Sequence, residues 1–516
     1  MIVKRKFHVF IQKHRQIVPY GIISLIPLVL FLISGLIQLD VNMFSSLFSS
    51  RVLVLLFKTF FYSLSVSIFC VIFGSIISII MLRVRRKVRQ LTLLVMLMVL
   101  TIPSTVYALM WMDIITRVGG DYIQQTGWGI AVFVQSMYML PISVLIIYYG
   151  MRRLPVEPIE TARFLAKSKD VFFRIWLPAC RPIFVVTGLI VFIMTINDYS
   201  IPSSFSVTTY SMEIFAKYSI SLSASEALIA GLPLLVLCLL SLVPVSSILS
   251  QYYLFEPSKQ ISPGIESNLH YQKLIELILL LVLFIMILPV VILISQADFI
   301  ALLDIDQAGI PEIIFTLLVC IVAGLLALPV MWMAANWTKR YSEKLWLILI
   351  PLAISPSLIG AALIQTMNQG FSRFIYVSPF MLVLGIIIRF MPLGILVLLL
   401  AINYLPEEYF VIGYMKGASK LSVYTKIIFP MMLPFYMVSL LIIILFGIGE
   451  LGTSVMITPP GYSTITVKIY GYLHYGASEK IGTMSIWVIL IIIVTLLLLW
   501  YGKRQIETGQ KKMKGD

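Results

Sequence analysis

The sequence predicts an all-α integral membrane protein of about twelve transmembrane helices, arranged as two tandem, pseudo-symmetric sets of six. Three observations carry that expectation. The 516 residues are 60% hydrophobic and 12% charged, with a mean hydropathy of +1.01, whereas a water-soluble domain carries roughly 25% charged residues. The apolar residues fall in runs of about 20, the length that crosses a bilayer as a helix. The prolines recur at one spacing in the two parts of the chain.

Taken in order, the runs of the first part lie at 20–37, 52–82, 91–115, 128–149, 182–199 and 227–249. Those of the second lie at 274–294, 313–335, 345–367, 379–400, 434–451 and 486–500. KRKFHVFIQKHR precedes the first run and Gln38-Leu39-Asp40 follows it, without a small-residue cleavage site, so it reads as an uncleaved span,. The polar stretch QYYLFEPSKQISPGIESNLHYQ at 251–272 separates six runs from six and divides the chain into sets 1–256 and 257–516.

The net charge of +15 does not mark a nucleic-acid partner. Basic residues sit in short blocks between apolar runs, such as RVRRKVR at 83–89 and TKRYSEK at 338–344, and no basic domain exists. With the N-terminus inside and the spans alternating, about 30 of the 38 basic residues fall on the inner side, which predicts two cytoplasmic termini and contact with the inner lipid leaflet,. Cys70, Cys180, Cys238 and Cys320 form no CxxC pair and lie in or beside apolar runs, which suits small core residues,. The four histidines are scattered, so no metal site is expected,.

The two sets share punctuation. TIPSTVYAL (101–109) matches AISPSLIGA (353–361), and YMLPISVLIIYYGMRRLP (138–155) matches RFMPLGILVLLLAINYLP (389–406). Each then runs through a polar segment to Pro178 or Pro430. Four proline pairs at an offset of about 252 residues indicate a tandem duplication, with parallel sets related by an axis along the membrane normal.

The segments before those prolines are the most informative. ETARFLAKSKDVFFRIWLP (160–178) and VIGYMKGASKLSVYTKIIFP (411–430) each suggest a short amphipathic helix, a small residue, Ala166 or Gly417, and a further aromatic turn. Proline is well tolerated in a first helical turn, so Pro178 and Pro430 are expected at the entry to the next span. These segments resemble the EAA motif of bacterial ATP-binding-cassette (ABC) import permeases: Glu-Ala-Ala, three residues, Gly, nine residues, Ile-x-Leu-Pro. The first keeps Glu160, Ala162, Leu177 and Pro178, has Ala166 for the glycine and is one residue short; the second keeps Gly417, Ala418, Ser419, Ile427 and Pro430 and lacks the leading Glu.

The resemblance implies a MetI-like fold in the bacterial cytoplasmic membrane. It also implies coupling helices that dock on two ABC ATPase subunits on the cytoplasmic side, and an extracytoplasmic solute-binding protein. Two fused sets resemble ferric-iron permeases, and GELGTSVMITPPGYSTITVKIYGYLHYGASE (449–479) is similar to their second part. Thiamine, aminophosphonate and polyamine permeases are the alternatives within the same machinery. The sequence holds no GxxxxGK[ST] phosphate loop, so ATP hydrolysis is expected in the partner subunits and the chain itself is expected to be neither an enzyme nor a cofactor binder,. A twelve-span secondary transporter shares the six-plus-six plan, but its long connection falls elsewhere. A membrane enzyme would need a cluster of catalytic side chains that the sequence does not offer.

Ionisable residues within spans are costly and usually functional. Asp198 and Glu450 both follow their segment's proline by twenty positions, which makes them symmetry mates near the outer face,. With Asn197 they are expected to line the translocation path and to favour a cationic or metal-bearing solute. Lys58 and Arg389 have no symmetric partners and are expected to snorkel to the outer interface,. Tyr470, Tyr472, His474 and Tyr475 fall in an outer segment and suit an outer gate or a docking surface.

Overall fold

A computed structural model describes residues 15–37, 46–119, 127–152, 154, 161, 162, 164, 167–221, 223–253, 269–295, 309–403, 415, 419–475, 480–495 and 497. Among these the chain is helical and forms no strand. The N-terminal helices are α1 (Val18–Ile37), α2 (Ser50–Arg83), α3 (Arg86–Thr101), α4 (Ser104–Gly119), α5 (Gly127–Met151), α6 (Lys169–Ala179), α7 (Arg181–Ile196), α8 (Tyr210–Ser221) and α9 (Ala224–Ile248). The C-terminal ones are α10 (Leu269–Ser295), α11 (Ile310–Arg340), α12 (Leu345–Ala353), α13 (Pro356–Met367), α14 (Phe380–Asn403), α15 (Tyr424–Ile448), α16 (Ile465–Tyr475) and α17 (Lys480–Thr495).

Among the described residues, eight helices are long and apolar enough to cross a membrane, and three bent pairs raise the number to eleven if each pair is one span. The expected span 486–500 corresponds to α17, which is shorter than a full crossing over its described residues. Two expected spans are not straight: α3 and α4 meet at 100°, and α12 and α13 at 87°. The cause is the matched Ile-Pro-Ser and Ile-Ser-Pro. Ile102 and Ser355 stand directly before Pro103 and Pro356 and are extended, as a residue before proline tends to be, and Ser355 Oγ accepts the Leu358 amide to start α13 anew,.

Proline also explains a second recurring feature. The turns Gly21–Leu25, Phe172–Trp176 and Tyr424–Ile428 are all wide π turns. In each, the residue just after the turn donates five positions back, and the next residue is Pro27, Pro178 or Pro430. A proline offers no N–H to the carbonyl four positions before it, and widening the turn is one way to accommodate that loss. Pro178 and Pro430 both stand in the first turn of the α-helical stretch that follows the π turn. On the Pro178 side that stretch ends α6: the chain bends by 49° at Cys180, and Pro182 is the proline in the first turn of α7, so Pro178 lies one bend before the expected span entry.

Packing follows the same plan in both sets. The long helix α2 contacts α5 and α7, and α11 contacts α14 and α15. Small residues allow these close approaches: a Cβ on Gly74 of α2 would lie 2.9 Å from Ser143 Cβ of α5,. Serine hydroxyls bond across helices to glycine carbonyls, Ser67 to Gly188 at 2.6 Å and Ser439 to Gly394 at 3.2 Å. The amide of Tyr210 donates to Thr59 Oγ1 at 2.8 Å and that of Ile465 to Thr316 Oγ1 at 2.9 Å, which seats α8 on α2 and α16 on α11. Beside each seat stands an ion pair of opposite sense, Arg51–Glu213 in one and Glu312–Lys468 in the other.

The two sets are interlocked rather than side by side. Helix α1 packs on α13 of the C-terminal set, and α10 packs on α3 and α4 of the N-terminal set. Tyr20 Oη donates to Ile348 O at 2.7 Å, and buried Glu276 of α10 holds the Arg85 side chain with two carboxylate oxygens and its amide with one. All four cysteines are buried and free.

Replacing Gly74 by Leu is expected to cost about 1–3 kcal/mol, because the α2–α5 approach has no room for the side chain. Gly129→Ala, where a Cβ meets nothing within 4 Å, should cost nothing measurable. Thermal unfolding of the two purified variants in detergent separates these outcomes.

Candidate functional site

The two sharp bends and the two conserved-offset carboxylates converge. A cavity of ≈190 Å³ lies between the sets. Its walls include Ile102 and Ser104 from the first bend, Ile354 and Pro356 from the second, Tyr138 of α5 and Arg389 of α14. Asn197, Asp198 and Tyr199 follow α7, and Glu450 follows α15, on the same cavity. Ile102 matches Ile354, Tyr138 matches Arg389, and Asp198 matches Glu450 at the repeat offset.

Position is shared, but chemistry is not. Asp198 Oδ1 accepts the Ser200 amide at 2.8 Å and Oδ2 accepts Gln135 Nε2 at 3.1 Å. Gln135 is buried, and its own oxygen faces the Tyr62 hydroxyl at 3.5 Å, which turns the amide nitrogen toward the carboxylate. Both donors to Asp198 are neutral. Glu450 Oε1 accepts the Thr453 amide at 2.7 Å and an Arg389 guanidinium N–H at 2.9 Å. Thr453 Oγ1 in turn donates to Pro356 O at 3.3 Å, and a Cβ on Gly452 would lie 2.6 Å from Pro356 Cβ. The Glu450 turn is therefore fixed directly against the second bend. On the other side, Tyr138 Oη donates to Ile102 O at 3.1 Å and ties α5 to the first bend.

Arg389 is thus not an interfacial snorkelling residue. It is three-quarters buried, paired with Glu450 and within electrostatic reach of Asp198. Its mate in the repeat is Tyr138, so a search for charged mates alone passes over it. Lys58 is exposed on the outer surface of α2, where its stem can follow the lipid,. Two buried polar atoms on the cavity residues have no partner: Asn197 Oδ1, whose amide nitrogen donates to Ile193 O and Cys238 Sγ, and the Tyr199 hydroxyl. No group of three His, Cys, Asp or Glu suited to a metal ion occurs among the described residues.

The segments before the two prolines form a second candidate region. Of the expected coupling residues, Glu160, Ala166, Gly417 and Ala418 lie outside the described residues. Ala162, Leu177, Pro178 and Ile427 are half-buried, and Ser419 and Pro430 are exposed. Large apolar side chains also stand exposed here: Phe164 at 90%, Phe173 at 63% and Met415 at 82%.

Residues 70–259 match the family model of the binding-protein-dependent transport system inner membrane component. Over these residues the chain is similar to the inner-membrane component of an ABC-type transport system. The match runs from within α2 past α9 and contains the first bend, α6 with Pro178, and Asn197–Asp198. Members of that family are membrane components that work with ATPase and binding-protein subunits. No curated protein matches the chain.

The Arg389–Glu450 pair yields a stability prediction. Arg389→Met leaves a buried carboxylate unpaired and should cost about 3 kcal/mol, the lower end for a broken buried pair because Arg389 keeps a quarter of its surface exposed,. Adding Glu450→Gln should recover most of that loss. A double-mutant cycle by denaturant unfolding checks it.

Proposed function

We propose that this chain is the permease subunit of an ABC importer, formed by tandem duplication of a six-helix set over 1–256 and 257–516. It moves a small solute inward by alternating access, powered by two separate ATPase subunits and supplied by an extracytoplasmic binding protein. The observation that carries the reading is the pair of equivalent segments before Pro178 and Pro430. Both widen into a π turn at the same point, and both carry exposed apolar side chains on an otherwise polar stretch. Exposed apolar groups of this kind suit a protein partner. Support for the N-terminal segment also comes from the family match at 70–259.

In this reading Glu160, Ala162, Ala166, Leu177 and Pro178 belong to one coupling segment. Gly417, Ala418, Ser419, Ile427 and Pro430 belong to the other. Asn197, Asp198 and Glu450 line the path. The chain sits in the bacterial cytoplasmic membrane with both termini inside, the arrangement that its basic blocks favour. The cargo is a small cationic or metal-bearing solute. Ferric iron comes first, on the likeness of 449–479 to ferric-iron permeases, and thiamine, aminophosphonate or a polyamine would use the same machinery.

The test uses the full chain reconstituted with its ATPase and binding protein. Phe173→Asp and Met415→Asp should each lower solute-stimulated ATP hydrolysis by about tenfold or more, as loss of an anchor in a docking cleft does. Ala162→Cys and Ser419→Cys should cross-link to the ATPase subunit. Uptake at the wild-type rate in both Asp variants, with neither cross-link, removes the reading.

A further inference from the structure

Basic side chains crowd one corner of the molecule, and most of them are not answered by acids. RVRRKVR joins α2 to α3 and brings Arg83, Arg85, Arg86, Lys87 and Arg89 together. Arg85 is held by Glu276 of α10. Arg83, Arg86 and Lys87 are exposed, Arg89 is half-buried, and none of these four makes an ion pair among the described residues. Helix α5 packs on α3 and adds Arg152 just past its end. The Arg152 guanidinium lies over the Tyr148 ring, 5.7 Å from its centroid, and Nη1 donates to Tyr148 Oη at 3.5 Å. Tyr149 meets Tyr148 edge to face with ring centroids 5.2 Å apart. It is 49% exposed, and both Arg152 and Arg89 stand within electrostatic reach of it. Two helices thus aim two guanidinium groups at one half-exposed hydroxyl. Guanidinium forks match the oxygens of a phosphate, and a phenol adds a further donor.

The surroundings of the corner indicate that the phosphate belongs to a lipid. One turn past Lys87, α3 exposes Leu91 and Leu94, and α10 exposes Leu274 and Leu277 on either side of buried Glu276. Charge gives way to an open apolar face within roughly 6 Å of helix. That is the profile of a membrane boundary, where basic stems snorkel and interfacial tyrosines stand at headgroup depth. A soluble acidic partner would answer the charges and leave the apolar face bare.

We propose that the corner between α3 and α5 is a binding site for the phosphate headgroup of an anionic phospholipid, held by Arg89, Arg152 and the Tyr149 hydroxyl, with its tails along the apolar face of α3. The proposal requires the chain to lie in a membrane and takes nothing from its cargo or its coupling to an ATPase. A bound lipid also offsets the repulsion among the basic side chains around Arg85, whose clasp on Glu276 joins the two sets,.

The test uses the full chain purified in detergent. Native mass spectrometry follows binding as phosphatidylglycerol, phosphatidylcholine or inorganic phosphate is titrated. Phosphatidylglycerol should bind saturably and at least about tenfold more tightly than phosphatidylcholine, and inorganic phosphate should not saturate. Arg89→Gln and Arg152→Gln should each weaken phosphatidylglycerol binding about fivefold, and together about thirtyfold, the scale of a basic residue at an anionic surface. Tyr149→Phe should weaken it about threefold. The double Arg→Lys variant keeps both charges and should lose less than the double Gln variant. Arg373→Gln, exposed between α13 and α14, should match the wild type. Unfolding temperatures without added lipid separate lost binding from lost fold. The proposal is overturned if phosphatidylcholine binds as tightly as phosphatidylglycerol, if inorganic phosphate alone saturates the site, or if the double Gln variant stays within twofold of the wild type. It is equally overturned if Arg89→Cys cross-links to an ATPase subunit, which would make the corner a protein interface. The importer reading is tested elsewhere, at Phe173 and Met415.

Discussion

Backbone without helical partners cannot face lipid, and that constraint organises this molecule. Hydrocarbon offers nothing to an unpaired amide or carbonyl, so broken helices are tolerated only where protein or a polar cavity encloses them. The chain breaks sharply twice, at Ile102-Pro103 and at Ile354-Ser355. Both breaks are turned onto one shared cavity, and each is closed by a specific bond from a neighbour: Tyr138 Oη to Ile102 O, Thr453 Oγ1 to Pro356 O. The central cavity is thus not a gap left by imperfect packing. It is the place where two interrupted helices can end.

That placement has an electrostatic consequence. The turns after α7 and α15 abut the breaks, so their carboxylates stand at a cavity walled largely by apolar side chains, where an isolated charge is expensive,. The two sets meet the cost differently. Glu450 is neutralised by a cation on its own set, whereas Asp198 is held by neutral donors, with Gln135 oriented from behind by Tyr62. The same break of symmetry appears at the seats of α8 and α16, where Arg51–Glu213 is answered by Glu312–Lys468. The same backbone contacts recur along the chain at matching positions while the charges beside them differ.

How legible this was in the sequence depends on whether a feature is local. Apolar run length marked the long helices from α1 to α15, because crossing length is a property of each segment alone. The repeated prolines marked where the two parts of the chain match, but they did not reveal that 91–115 and 345–367 are broken there, because hydropathy averages across a two-residue interruption. The carboxylates at 198 and 450 could be picked out by charge in an apolar setting. The role of Arg389 could not be, since its repeat mate is an uncharged tyrosine and its partner Glu450 is 61 residues away. Gln135, Tyr138 and Tyr199 are unremarkable letters in apolar runs, and only tertiary placement brings them to the cavity.

The interlocking of the sets limits how such a cavity can change shape. Helix α1 belongs to the N-terminal set by sequence yet grips α13, and α10 grips α3 and α4 in return. The grips are made of different bonds, a tyrosine hydroxyl on Ile348 O in one and the buried Glu276 carboxylate clasping Arg85 in the other. Pulling the sets apart would break both at once and part Glu276 from Arg85. The bends lie on the gripped elements themselves, between α3 and α4 and between α12 and α13, so the contacts that join the two parts of the chain and the walls of the cavity are made by the same helices.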